Sequence, residues 1–474
     1  MKIAFVVLFA ISAFAQDSAS VLARILAEKG TITAAELARV EAAPPSDRVG
    51  ALAALLQQKG LLSATEVARI APAAPATQPA PPRTAESAAP AVTAQSRFPV
   101  TVYGTLLMNS VYDTALMNIT DIPLFTGKQG ADALGNDRSY SMTARQSRIG
   151  LKYESDREIM GAKLSGTVEV DFFGGKAPYG NGVDMDLLRL RLAYGRLDWH
   201  NFAIEAGQDW AIFAPLNPTS YAEFAIPSMS ASGNPWIRLP QIRVEAHGSL
   251  SDNVSLLGQF AAMDPDMGDY NTAVFASTRP PGVGERGRAP AAEARFALTD
   301  KYDGRDFTIG VSGHYAHGKN AGIVGGIAEQ LSLDSWGAAI DYNLPVTKKF
   351  ALSGEAYTGR GLGIFSVTAG QAIEPVGVFG DRGVRARGGW AQAQFSFNPK
   401  WQVNAVYGVE DPNVRDILVG SRTRNQSYMG NVIYKYTAHA LVAWEYRRIL
   451  TDFRNQILSN ERGNTVNLAL AYIF

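Results

Sequence analysis

The stretch LLRLRLAYG, residues 187–195, sets Arg189 and Arg191 two positions apart among leucines. In an extended strand successive side chains point to opposite faces. Leu188, Leu190, Leu192 and Tyr194 then share one face, and Arg189, Arg191, Ala193 and Gly195 share the other. A helix would scatter both arginines among the leucines. The segment reads as a strand with one apolar and one cationic face, and the arginine side must meet either bulk solvent or a wet channel.

The same two-residue period recurs. In NTVNLALAYIF, residues 464–474, Val466, Leu468, Leu470, Tyr472 and Phe474 alternate with Thr465, Asn467, Ala469 and Ala471. In AKLSGTVEVDF, residues 162–172, Leu164, Val168, Val170 and Phe172 oppose Lys163, Ser165, Thr167, Glu169 and Asp171. About sixteen such segments follow one another: 98–113, 143–154, 159–173, 186–197, 200–210, 237–249, 252–263, 291–299, 305–317, 333–345, 348–360, 383–397, 400–411, 426–436, 438–449 and 463–474. Short turns, as at 155–158, 198–199, 251, 345–347 and 398–399, alternate with long loops. An even strand number, this asymmetry of connections and apolar faces ending in Trp or Tyr belong to outer-membrane barrels. A soluble sandwich also alternates apolar and polar residues, but has no reason to keep short and long connections in strict order. The expected fold class is an all-β transmembrane barrel of about sixteen antiparallel strands over residues 98–474, preceded by a small α-helical repeat.

The N-terminal region reads differently. MKIAFVVLFAISAFAQ has a lysine at position 2, an apolar run over 3–10 and an Ala13-Phe14-Ala15 cleavage pattern. That is a secretory signal peptide over residues 1–15. No later stretch supplies the roughly twenty apolar residues of a spanning helix. Residues 16–70 hold a tandem repeat: VLARILAEKGTITAAELARV (21–40) aligns with ALAALLQQKGLLSATEVARI (51–70). Each copy has an apolar helical stripe, a Lys-Gly stop at Lys29-Gly30 or Lys59-Gly60, and a capping box, Thr33 with Glu36 or Ser63 with Glu66. The pattern predicts a periplasmic helix–turn–helix pair, serving either as a spacer or as an oligomerising or wall-anchoring module. Residues 71–97 are a Pro/Ala-rich linker. With 44 basic and 44 acidic residues the charge balance points to no nucleic acid, and the absence of cysteine excludes disulfides and thiolate metal sites.

Arginine on the lipid face near mid-membrane costs roughly 2–4 kcal/mol. Arg189 and Arg191 are therefore expected to face the lumen, and the same register sends Arg148, Lys152, Arg243, Arg295, Lys435 and Arg447 inward. Glu154, Glu169, Asp171, Glu205, Glu245, Asp341, Glu355, Glu410 and Glu445 go inward too, so selectivity depends on which charges sit at the narrowest point. Residues 211–236 form a long connection whose single charge is Glu223. Folding into the barrel suits such a loop, because non-helical backbone at membrane depth is tolerated where it lines a wet cavity; an apolar subunit contact is the other reading. The candidate constriction residues are Arg148, Arg189, Arg191, Arg238, Arg243 and Glu223. A cationic ring favours anions. The histidines, His200, His247, His314, His317 and His439, form no motif, and the spacing of His314 and His317 puts them on opposite faces of a strand. No catalytic set, metal site or cofactor is expected.

Taken in order, TVYGTLLMNSVYD, SRIGLKYES, KLSGTVEVDFFGG, LLRLRLAYGRL, EAGQDWAIFAP and WIRLPQIRVE resemble successive signatures of the DcaP-like porin family. The resemblance covers the chain from about residue 98 onward and is clearest over 98–250. It implies a trimeric sixteen-stranded porin with a periplasmic N-terminal extension and a basic constriction that passes small anions, dicarboxylates among them. Arg189 and Arg191 match the family's paired arginines, and Arg238 and Arg243 those flanking its PQIR segment. The LAEKGTIT repeat departs from the family's heptad-like extension and is similar to the segment ahead of phosphate-selective porins. The expected function is passive diffusion of small hydrophilic anions across the outer membrane. A phosphate or inorganic-anion porin, and a plugged structural barrel gripping the cell wall, are the alternatives. Membrane lipid and lipopolysaccharide, small anionic solutes, further copies in a homotrimer and peptidoglycan at the repeat are the expected partners.

Overall fold

The computed structural model describes residues 22–24, 26–43, 48–63, 99–128, 138–176, 186–268, 281–324, 327–367, 373, 382–454 and 460–474. The expected signal peptide and linker, and Glu66 of the second capping box, lie outside them. The chain divides into two compact units, residues 1–93 and 94–474.

In the first unit, α1 (Ala34–Ala42) and α2 (Arg48–Gln58) follow the repeat. The Glu36 N–H donates to Thr33 Oγ1 (3.3 Å) while the Glu36 carboxylate accepts the Thr33 N–H (2.6 Å). Gly30 and Gly60 both take the left-handed conformation, φ 71° and 72°. That conformation ends helices and suits glycine, which has no Cβ to clash. Ala23, Ile32, Val40 and Leu52 form a small buried cluster.

The second unit contains β1 (Val100–Asp113), β2 (Ser139–Thr143), β3 (Arg148–Ile159), β4 (Ala162–Asp171), β5 (Arg189–Asp198) and β6 (Phe202–Trp210). It continues with β7 (Arg238–Ser249), β8 (Val254–Met263), β9 (Ala291–Tyr302), β10 (Arg305–Val324), β11 (Ile327–Leu344) and β12 (Phe350–Arg360). The last five are β13 (Arg385–Asn398), β14 (Trp401–Pro412), β15 (Arg422–Lys435), β16 (Ala440–Phe453) and β17 (Asn460–Ile473). Pairing is antiparallel throughout, and β17 closes onto β1 from Thr105↔Ile473 to Asp113↔Thr465. Closure leaves no sheet edge facing lipid, where an unpaired backbone group is costly. Among the described residues no helix is long and apolar enough to cross a membrane; the strands cross it.

Both β2 and β3 pair with the same edge of β1, so they are one barrel strand broken at residues 144–147. The seventeen segments thus make a sixteen-strand barrel. At the break Ser147 Oγ accepts the Leu107 N–H (2.9 Å) and donates to the Leu107 carbonyl (3.2 Å), replacing ladder bonds. Gln146 next to it is buried and turned into the barrel.

The two faces separate as alternation demands. Val168, Leu190, Trp444, Tyr446 and Leu470 are exposed on the outer surface, whereas Glu169, Asp171, Glu445, Arg447 and Asn467 are buried inside. Two expectations need correction. Leu192 and Tyr194 do not continue the lipid face of Leu188 and Leu190. A β-bulge at Arg191 pairs Val170 with Leu190 but Glu169 with Leu192 and Thr167 with Tyr194, which reverses the phase. Arg196 thereby turns inward and bonds Glu245 at 2.7 Å. Residues 155–158 are not a turn either: β3 runs on to Ile159, and the chain reverses at Met160-Gly161, φ 54° and 75°. Positive φ at both positions matches a two-residue hairpin turn.

Candidate functional site

The connection between β6 and β7, residues 211–236, folds into the barrel and is mostly buried. Its backbone makes two kinds of attachment. Along the first half, N–H groups donate to wall side chains. Ile212 and Phe213 donate to Glu293 Oε2 (2.9 and 3.1 Å), Ala214 to Ser312 Oγ (3.1 Å), Leu216 to Glu355, and Thr219 to Gln392 Oε1 (2.7 Å). Ser220 Oγ then donates to Glu445 Oε2 (2.6 Å). Each staple satisfies a donor that would otherwise be buried without a partner, a cost of about 1–3 kcal/mol. Phe213 sits among Leu362, Phe365 and His314, with His314 edge-on to Phe365 at 4.9 Å. His314 Nδ1 lies 3.1 Å from Glu293, which ties this histidine to the loop's root.

Along the second half the loop presents carbonyls. The Tyr221 carbonyl accepts from Asn109 (2.9 Å), Ala222 from Gln146 (2.8 Å), Phe224 from Arg148 (2.8 Å) and Ala225 from Arg189 (2.8 Å). Gln146 Oε1 in turn accepts the N–H groups of Phe224 (2.7 Å) and Ala225 (2.9 Å). The loop is therefore fixed to β9, β10, β12 and β13 at one end and to β1, β3 and β5 at the other. The first connection joins it: Asn425 holds the carbonyls of Leu124 and Ala231 (3.0 and 2.9 Å), and Ile122 and Leu124 pack on Ala225 and Ala231.

The expected site residues divide into three groups. Arg148, Arg189 and Arg191 converge on Glu169 and Asp171: Arg191 lies 2.6 Å from Glu169 and 3.1 Å from Asp171, Arg189 2.6 Å from Asp171, and Arg148 3.9 Å from Glu169. Arg238 belongs to the same electrostatic neighbourhood, with Arg191, Arg189, Asp171 and Arg148 as its interacting charges. It lies against Trp210 (4.4 Å) and Trp236 (5.2 Å), buried, with Nη1 lacking a hydrogen-bond partner among the described residues. Four guanidinium groups thus stand with two carboxylates. The solvent-facing ones are Arg189, 24% exposed, and Arg148, 18%; Asp171 and Glu169 are at 0% and 7%.

Arg243 stands apart from that group. It is surrounded by Glu205 (2.7 Å), Asp209 (2.9 Å) and Glu245 (3.0 Å), an acid-rich setting that neutralises it. Glu223, the loop's only charge, is buried and ion-paired with Arg447, also buried, so it holds the loop to β16 and presents no charge to solvent. The staples Gln146, Glu293 and Glu355 were not singled out as site residues from the sequence. A glutamate at an inward strand position gives no sign of whether it faces water or a loop backbone.

A closed sixteen-strand barrel with an apolar outer face, tyrosines and tryptophans on that face and an inward-folded third loop has the architecture of outer-membrane porins, and its place is the bacterial outer membrane. Among solved structures it is similar to the outer membrane channel DcaP of Acinetobacter baumannii, with 18% identity, a TM-score of 0.59 and coverage of 80% of this chain and 97% of that one. It is also similar to OprB of Pseudomonas putida, with 9% identity, a TM-score of 0.50 and coverage of 79% and 94%. No protein-family model matches the chain, and no curated protein matches it. At these identities the likeness is one of fold.

Proposed function

We propose that the chain is a passive diffusion channel that favours small anions, with Arg148 and Arg189 as the charges met by a passing solute and Arg191 and Arg238 behind them. One observation carries the reading. The loop-facing carboxylates Glu293 and Glu355 are spent on backbone N–H groups and Glu223 on Arg447, while Arg148 and Arg189 keep solvent-facing surface. In a confined lumen such unbalanced cations attract anions strongly. Small organic dicarboxylates suit paired guanidinium groups, which bind carboxylates by two parallel hydrogen bonds. Phosphate suits the same donors and is the second solute to test.

The remaining parts of the reading follow the sequence. Residues 1–15 direct export, residues 16–70 lie in the periplasm ahead of the linker, and the barrels associate as trimers. The repeat meets either a sister repeat or the cell wall.

The test is the reversal potential of the purified protein in a planar bilayer under a KCl gradient. A value near the chloride equilibrium potential that moves toward potassium in Arg148→Gln/Arg189→Gln supports the reading. A value near potassium in the wild type refutes it. Because two loops fold inward, a plugged barrel is the competing reading. Liposome swelling with small sugars separates the two, since a plugged barrel gives none.

A further inference from the structure

Strand β16 places adjacent arginines on opposite sides of the wall: Arg447 is buried inside, and Arg448 is exposed on the outer surface. In register Arg448 stands between Tyr428 on β15 and Asn464 on β17, and Leu450 stands between Gln426 and Arg462. Arg448 and Arg462 are therefore diagonal neighbours on one face, a relation that places side chains about 7–8 Å apart at their roots. Both are exposed, and neither has an ion pair among the described residues. One step nearer the strand ends, Arg424 faces Asp452 across the sheet.

The neighbouring strands handle the same problem differently. Arg385 pairs with Asp416 (2.6 Å) and Arg387 with Asp411 (2.9 Å). Arg448 and Arg462 have no such ion pair among the described residues; with Arg424, and with Asp452 as the other diagonal neighbour of Arg462, they make a patch of three cations and one acid.

Their height on the wall is fixed by what lies beside and beneath them. Tyr428, Tyr446, Trp444, Val466 and Leu470 are exposed on the same face, Tyr446 donating to Asn464 at 2.8 Å and Tyr407 to Gln426 at 3.0 Å. Aromatic residues with polar tips mark the border of the hydrocarbon layer. The two arginines thus stand at that border, toward the ends of β15–β17 that lead to the long connections, which face outward. There the cost of a lipid-side arginine falls to about 0–1 kcal/mol, but two like charges still repel.

We propose that Arg448 and Arg462 form a binding site for the phosphate groups of a glycolipid headgroup in the outer leaflet, that is, for lipopolysaccharide. A phosphate bridging both guanidinium groups converts the repulsion into two charge-assisted contacts, and arginine offers the donor fork that phosphate oxygens fit. The Tyr446 and Tyr428 rings and the apolar wall at Trp444, Val466 and Leu470 then carry the acyl chains. The site stands on the outer wall and does not depend on the selectivity of the lumen.

The experiment uses the full chain purified from outer membranes. It measures lipid phosphate retained per chain and the midpoint of heat-induced unfolding on gels, with added lipopolysaccharide, its dephosphorylated form, or sodium phosphate. Lipopolysaccharide should raise the wild-type midpoint. Arg448→Gln/Arg462→Gln should bind about thirtyfold more weakly, the factor two cations at headgroup level contribute. Arg448→Lys/Arg462→Lys should retain most binding, and Arg387→Gln, whose charge is already paired, should behave as wild type. Undiminished binding by the Gln variant overturns the proposal, as does equal stabilisation by the dephosphorylated lipid. An equal effect of sodium phosphate alone would mean a small-anion site and also overturns it. So does a Gln variant that loses only its oligomeric band while keeping its lipid, which would make the patch a subunit contact.

Discussion

The wall at β9–β12 and the wall at β3–β5 carry charges of both signs, yet they treat the inward loop in opposite ways. At the first, Glu293 and Glu355 accept loop N–H groups; at the second, Arg148 and Arg189 donate to loop carbonyls. A backbone segment has one donor and one acceptor per residue, so a loop lying between two walls can turn its donors to one and its acceptors to the other. The acids disappear into that arrangement because the N–H groups they satisfy are buried. The arginines keep donors to spare, since each guanidinium has five. The asymmetry of the lumen therefore arises from the difference in bonding capacity between carboxylate and guanidinium together with the local count, four guanidinium groups against two carboxylates at the second wall.

The comparison can be broken at several points. The largest effect is expected from Leu190→Arg, which puts a charge on the lipid side at a cost of roughly 2–4 kcal/mol. The folded, heat-modifiable gel band should be lost, while Arg189→Gln one residue away should fold. If both variants migrate alike, the inside–outside assignment of β5 fails. Next comes Glu355→Ala, which orphans the Leu216 N–H and the Trp390 indole N–H that bond it. A destabilisation of about 1–3 kcal/mol per orphaned buried donor is expected, seen as a lower unfolding midpoint and noisier single-channel current. Unchanged current would mean the loop does not depend on that wall. Arg189→Gln should shift the reversal potential toward potassium with only a modest loss of stability, because Arg191 still reaches Asp171 (3.1 Å) and the Ala225 carbonyl (3.3 Å), and Glu223→Gln should lower stability with little shift. The reverse order would place the working charge on the loop.

The smallest effect concerns the repeat. Bonds from the Thr33 N–H and from Lys59 hold the Glu36 carboxyl below its ordinary range. Its contribution is present above the unfolded carboxyl value of about 4.3 and is lost as pH falls through the lower folded value. The protection factors of the amides over residues 34–42 of the full chain, corrected for the intrinsic pH dependence of exchange, should therefore fall in that acidic window and not above it. Equal protection at pH 3 and pH 7 would show that the cap contributes nothing.

Much of this was legible in the sequence because a barrel wall has a strict period. Leu190, Val168, Trp444 and Leu470 fall where alternation puts them, and the single charge in residues 211–236 signalled an inward loop. The bulge at Arg191 was not read, although a signal exists. Arg191 and Arg196 are an odd distance apart on one strand, and both can face the lumen only if the phase slips between them. The break before Arg148 left less trace, since Ser147 imitates the ladder with its side chain. What each inward acid does was beyond the pattern, because it depends on contacts with loops far away in sequence.

The break at residues 144–147 bears on how the barrel is completed. Gln146, freed by it, donates to Asn109 (2.9 Å), and Asn109 donates to Asn467 (3.1 Å) and to the Tyr221 carbonyl (2.9 Å). These residues lie on the broken strand, the first strand and the last strand, on either side of the seam where the two ends of the sheet meet. Until the last strand arrives, Asn109 lacks Asn467 and the clasp on Tyr221 is half built. The inward loop is thus held by the same three amides that span the seam. Closing the sheet and fixing the loop are therefore one event at this seam, since Asn109 serves both.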